Sequence, residues 1–273
     1  MKNKKCTLVL LLCVFIGFPL SAFQGGPLLY LRADFGGGIT LPSISQASLK
    51  EFNKDAVRMS GMMSSLLMSG EVEGGYVFDS ERFFGLRKNH PFSALGTFVA
   101  LGVGQGNTSQ KVEAVTSAGP FDTFMIVDFT PVVNFGLSAK AYFFNNRLTV
   151  GAAVGGRMIA DMSPNYLVYS TDPGVIQTEV GQIIVTQEMM KKMNPLMFSV
   201  KGTLEYNIPV LDTTDIVLGW YTRYNIYRPK YLTAPKKLAD LAATNGGDIT
   251  KPFPDYWLNS LDFGINLGFA FKL

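Results

Sequence analysis

Residues 124–161 read FMIVDFTPVVNFGLSAKAYFFNNRLTVGAAVGGRMIAD. In the first arm Val127, Phe129, Val133, Phe135, Leu137, Ala139, Ala141 and Phe143 alternate with Asp128, Thr130, Asn134, Gly136, Ser138, Lys140 and Tyr142. This period of two is that of a β-strand with one apolar and one polar face. After Asn145-Asn146-Arg147 the second arm repeats it, with Leu148, Val150, Ala152, Val154 and Met158 opposite Thr149, Gly151, Gly155, Arg157 and Asp161. The stretch therefore predicts one long β-hairpin. Its arms far exceed the usual strand of about five or six residues and are long enough to cross a bilayer, which takes roughly nine to eleven tilted residues.

Working outward, the same alternation recurs over Leu29 to Ile39, Met62 to Asp79, Phe92 to Gly104, Phe198 to Ile208, Ile216 to Tyr227 and Ser260 to Lys272. With the hairpin this makes eight strands; a small strand pair around residues 166–185 is read as a flap outside the membrane, with a ten-strand barrel as the alternative. Long links are expected at 40–61, 105–122, 162–195 and 228–259, and short ones at 80–91, 145–147 and 209–215. Long and short links thus alternate, as they do in transmembrane barrels with long outer loops and short periplasmic turns. Ser48 to Glu51 has the form of a capping box, and Leu49, Phe52, Ala56 and Met59 follow at helical spacing, so a short helix is expected there. A second is expected over Pro235 to Ala243, ended by Asn245-Gly246.

Residues 1–22 carry Lys2, Lys4 and Lys5, an apolar run from Thr7 to Ile16 and small residues at Ser21 and Ala22, the pattern of a secretory signal for Sec export. The apolar run is too short to span a membrane. Residues 23–273 are then the barrel domain. Cys6 and Cys13 both lie in the signal, and Leu12 before Cys13 disfavours a lipoprotein site, so the exported part carries no thiol for a disulfide or metal. Three of the 24 basic residues are the signal lysines, which leaves the remainder level with the 21 acidic ones and gives no footprint for nucleic acid. No apolar run of helical membrane length follows the signal. A membrane-embedded form must then be a closed barrel, which leaves no backbone group unpaired in lipid.

The signal, the even strand count, the loop parity and the aromatic last strand with Phe263, Phe269 and Phe271 together resemble the small eight-stranded outer-membrane barrels of Gram-negative and spirochaete bacteria, the OmpA, OmpX and OmpW type. The resemblance spans the exported chain and rests on architecture. It implies an all-β, closed, antiparallel up-and-down barrel in the cell outer membrane, with membrane lipid and the barrel-assembly machinery as partners. Such barrels usually end in an aromatic residue, whereas here Leu273 is last and Phe271 stands two positions earlier.

The inward polar set is predicted to hold Arg32, Asp34, Glu71, Glu73, Asp128, Lys140, Arg157, Lys201, Glu205 and Arg223. An eight-strand barrel is just wide enough for side chains to fill, so these charges must pair. They form either a static core or a gate whose ion pairs exchange. Catalysis is not expected: His90 is the single histidine and falls in a short link, and no serine has a base within reach. Gly102-Val103-Gly104-Gln105-Gly106 lacks the Lys-Ser/Thr of a phosphate loop, and Asn107-Thr108-Ser109 matches a glycosylation sequon by pattern alone. Trp220, Tyr224, Tyr227, Tyr256 and Trp257 are read as interfacial anchors. No cofactor or metal site is expected. The functional expectation is a narrow conduit for small or amphipathic solutes, as the OmpW resemblance implies. The alternative is a surface interaction protein whose loops bind host ligands, and a soluble periplasmic β-protein is the third reading.

Overall fold

The computed structural model describes residues 25–44, 57–61, 63–87, 90–116, 119–170, 178–182, 194–228 and 256–273. The expected signal (1–22), most of the expected helix over 48–59 and the helix over 235–243 lie outside the described residues.

Eight strands close into a ring: β1 (Gly26–Ile44), β3 (Met63–Asp79), β4 (Phe92–Thr116), β5 (Gly119–Phe143), β6 (Leu148–Ile159), β9 (Leu196–Leu211), β10 (Thr214–Ile226) and β11 (Tyr256–Lys272). Each pairs antiparallel with the next, and β11 returns to β1 through a register running from Leu28↔Lys272 to Ile44↔Tyr256. The ring is an eight-stranded up-and-down barrel, and the ten-strand alternative falls. The short strands β2 (Val57–Gly61), β7 (Met162–Ser170) and β8 (Thr178–Gln182) lie outside the ring.

Those three strands attach to an extension of the wall. Beyond the part that pairs with β6, β4 and β5 continue together to Thr116↔Gly119. Strand β2 adds to β4 at residues 110–114, β7 adds to β5 at residues 121–129, and β8 adds to β7. The result is a five-stranded sheet, β2-β4-β5-β7-β8, rising from one side of the barrel. The expected link over 105–122 is therefore largely strand. Met59, expected to be helical, lies in β2, because the prolonged edge of β4 offers it a ladder of backbone partners. The flap expected after residue 162 is the β7–β8 pair.

At the opposite end the links are tight and lie with the strand ends near Gly26 and Lys272. Asn145 and Asn146, at φ 57° and 66°, occupy the two central positions of the β5–β6 turn, closed by Arg147 N–H to the Phe144 carbonyl. Phe144 before them is left-handed as well, at φ 53°, and asparagine tolerates this conformation better than most residues. The 80–91 link holds a one-turn helix, α1 (Ser80–Phe84), which sequence reading missed. The Asp79 carboxylate caps it by accepting from the Glu81 and Arg82 amides, and Gly85 ends it at φ 65°.

The outward positions carry a continuous apolar coat, including Leu31, Val72, Val99, Leu101, Leu137, Val154, Val200, Leu204, Ile265 and Leu267. Leu137 is 62 % and Trp220 67 % exposed. A soluble sheet would not leave such a surface to water. The coat is bounded at the short-turn end by ring contacts among Tyr76, Phe78 and Phe83, then Phe84, Phe92, Phe143 and Phe144, and between Phe269 and Phe271. This is the placement of an interfacial aromatic girdle.

One correction concerns β5 itself. Val127 and Phe129, expected outward, are buried, and Asp128, expected inward, is only half-buried between them. The register explains this: Gly104 pairs with Val132 and Gly106 with Phe129, so Thr130 and Pro131 together oppose Gln105. One extra residue on β5 makes a bulge and exchanges its two faces.

Candidate functional site: the charged lumen

The alternation that points apolar side chains to the outside of each strand brings every second, polar side chain to the barrel axis. Nine of the ten residues predicted for the lumen are there and buried; Asp128 lies instead on the extension. Asp262 joins them, so among the described residues the interior holds five cations and five carboxylates. Sequence reading placed Asp262 on the polar face of β11 but left it out of the network; its period-two position was the available signal.

Arg32 on β1 donates to Glu71 at 3.1 Å and bonds Glu73 and Glu205. Lys140 stands 3.0 Å from both Glu73 and Glu205, with its ammonium 3.8 Å from the Tyr30 ring centroid. Lys201 bridges Asp34 at 2.6 Å and Glu71 at 2.7 Å, and Arg223 reaches Asp34 at 3.0 Å. Arg157 donates through Nε to the Asn134 carbonyl oxygen at 3.0 Å and through Nη1 to Asp262 and Asn225, both at 3.4 Å. Asn225 Nδ2 in turn donates to Asp262 and to Ser260. With so many charges removed from water, each is tolerable only because partners surround it.

Apolar layers close the network at both ends. Toward the short turns, Leu28, Tyr30, Val77, Ala94, Phe98, Tyr142, Val217 and Ala270 form one buried cluster. In it the Tyr30 and Tyr142 hydroxyls share a hydrogen bond at 2.8 Å and Phe98 packs edge-on against Tyr30. Toward the extension, Val127, Phe129, Val132, Ile159, Met197, Tyr227 and Leu258 are buried, with the Phe129 and Tyr227 rings edge to face at 5.9 Å. Tyr227, expected as an interfacial anchor, is thus an inner packing residue, because its position continues the inward series Tyr221, Arg223, Asn225.

The lumen is uneven around its circumference. Most of the long charged side chains come from β1, β3, β9 and β10, whereas the facing wall of β4, β5 and β6 adds Lys140 and Arg157 but places Ala100, Gly102, Gly136, Ala153 and Gly155 at inward positions between them. Beside that wall a cavity of about 30 Å³ remains, lined in part by Glu71, Asn134, Arg157, Ser199, Lys201 and Arg223.

His90 is exposed at the short-turn end, where its Nδ1 accepts from the Phe92 amide. Glu71 and Glu73, two positions apart on the inner face of β3, are both held by Arg32. Gly102 to Gly106 lie within β4 and not at the start of a helix, and Asn107, Thr108 and Ser109 are buried, which leaves the sequon no room for a glycan. What the arrangement does chemically is to tie β1, β3, β5, β6, β9, β10 and β11 together through ionic contacts that reach across the axis.

No family model matches the chain, and no curated protein matches it. Among solved structures it is similar to the outer-membrane protease OmpT of Escherichia coli at 7% identity and a TM-score of 0.35, covering 93% of this chain and 100% of that one. The outer membrane protein OprG of Pseudomonas aeruginosa gives the same figures. Ail, the attachment invasion locus protein of Yersinia pestis, gives 8% identity and a TM-score of 0.31 over 90% of this chain and 99% of that one. At these values the likenesses add nothing to the barrel architecture described above.

Proposed function

We propose that this chain is an integral protein of a bacterial outer membrane whose barrel anchors and presents the β2-β4-β5-β7-β8 sheet to molecules outside the cell. The observation that carries this reading is the contrast between a wall prolonged into an extramembrane sheet and a lumen closed by two apolar layers and an ionic one. The apolar coat and aromatic girdle support membrane insertion, and the closed up-and-down ring suits a barrel delivered by the outer-membrane assembly machinery.

The test uses refolded protein in lipid vesicles, exposed to immobilised extracellular-matrix proteins and polysaccharides. Adsorption to at least one of them should disappear when residues 163–182 are replaced by a short Gly-Ser turn, while the folded barrel still migrates compactly on unboiled SDS gels. Unchanged adsorption in that variant overturns the reading. A second reading, the narrow conduit, draws on Lys201 being shared by Asp34 and Glu71. Partner exchange there is the rearrangement this reading invokes. It requires the apolar layers to part as well, and it predicts vesicle swelling with small solutes.

A further inference from the structure

The cavity beside the β4–β6 wall has an unusual lining. Its hydrogen-bonding side chains are Asn134, Arg157, Ser199, Lys201, Arg223 and Glu71, three cations against one carboxylate. Asn134 is 5 % exposed, and its Nδ2 has no hydrogen-bond partner among the described residues. The orientation of that amide is fixed by chemistry: its oxygen accepts from Arg157 Nε, a group that only donates, so the –NH2 end is the one left over. A buried donor without an acceptor is costly, on the order of 1–3 kcal/mol, and Asn134 is one of the residues lining the cavity.

The occupant must therefore accept hydrogen bonds. A water fits by size, since a cavity needs roughly 10–15 Å³ to hold one. A water also brings two hydrogens that need acceptors. Glu71 is the one carboxylate in the lining, and its Oε2 already receives Arg32 and Lys201. Asp34 and Asp262, which balance the cations, are not part of the lining. An anion accepts from every donor and offers nothing that needs accepting. Ala100, Gly136, Ala153 and Gly155 on the facing wall send no polar side chain to compete.

We propose that this cavity is a binding site for one small monovalent anion of the halide class, held by Asn134 Nδ2 and the cationic groups of Arg157, Lys201 and Arg223. The site is independent of whether the barrel acts as an anchor or a conduit. In either case it sits among the ion pairs that join β9 and β10 to β1 and β3 and β6 to β11, so occupancy tightens the barrel.

The experiment follows thermal unfolding of the refolded, detergent-solubilised full barrel in sodium chloride or bromide against sodium gluconate at matched ionic strength. Gluconate is too large for the cavity. A saturable rise of the unfolding midpoint by about two to four degrees or more in the halides is expected, since binding only to the folded state raises stability with ligand concentration. Asn134→Asp places a carboxylate where the anion would be accepted while keeping the oxygen that faces Arg157, so this variant should fold and lose the halide effect. Asn134→Leu should lose it as well. Crystals grown in bromide should show an anomalous peak in the cavity. Equal midpoints in chloride and gluconate, or a halide effect undiminished in Asn134→Asp, would overturn the proposal and leave a water site.

Discussion

The two faces of the barrel wall are built from the same strands and obey opposite rules. On the outside, Leu137, Val154, Val200 and Ile265 need no specific neighbour, because lipid accepts any apolar surface of the right height. On the inside, Arg32, Lys140 and Glu205 each depend on named partners in a space with no slack. Outer positions should therefore tolerate exchange among apolar residues and reject charge, while inner positions should reject the loss of a single charge more strongly than the outer face rejects its gain.

Glu205→Ala should be the most costly single change. Glu205 is 1 % exposed and engages both Arg32 and Lys140. Removing it leaves two cations short of a partner, at a cost of about 3–5 kcal/mol, read from urea unfolding of the refolded protein in lipid. Leu137→Arg on the lipid side should cost about 2–4 kcal/mol near the midplane, in the same measurement. If Leu137→Arg proved the milder by far more than this, or Glu205→Ala proved silent, the assignment of faces would be wrong.

Smaller substitutions sharpen the contrast. Tyr142→Phe deletes the hydrogen bond to Tyr30 while keeping the ring, with an expected loss of about 1 kcal/mol. Ser138→Ala should be neutral or slightly stabilising, because the Ser138 hydroxyl is buried without a hydrogen-bond partner among the described residues. Ser138→Arg, which a roomy polar lumen would accept, should instead fail to fold, since the position pairs with Phe98 and Ala153 in a filled interior.

Much of this was legible in the sequence because a membrane barrel writes its two faces as a period of two. Eight strands and nine inner charges follow from that period alone. The exception on β5 shows how the signal fails. Periodicity was carried straight through Thr130-Pro131, although a proline within a strand and the adjacent apolar pair Val132-Val133 both mark a bulge. Reading them would have turned Val127 and Phe129 inward and removed Asp128 from the network. The partners within the lumen were not legible, because which cation meets which carboxylate depends on strand order and stagger around the ring. Nor was β2, which is five residues long and forms where the prolonged edge of β4 recruits it.

Packed apolar and ionic layers close the barrel along its axis. Planar-bilayer recording on the refolded protein tests this closure most directly. The structure predicts no stepwise conductance above the bare bilayer in molar potassium chloride, and none after the β7–β8 segment is removed. Regular, ohmic conductance steps in the intact protein would contradict it.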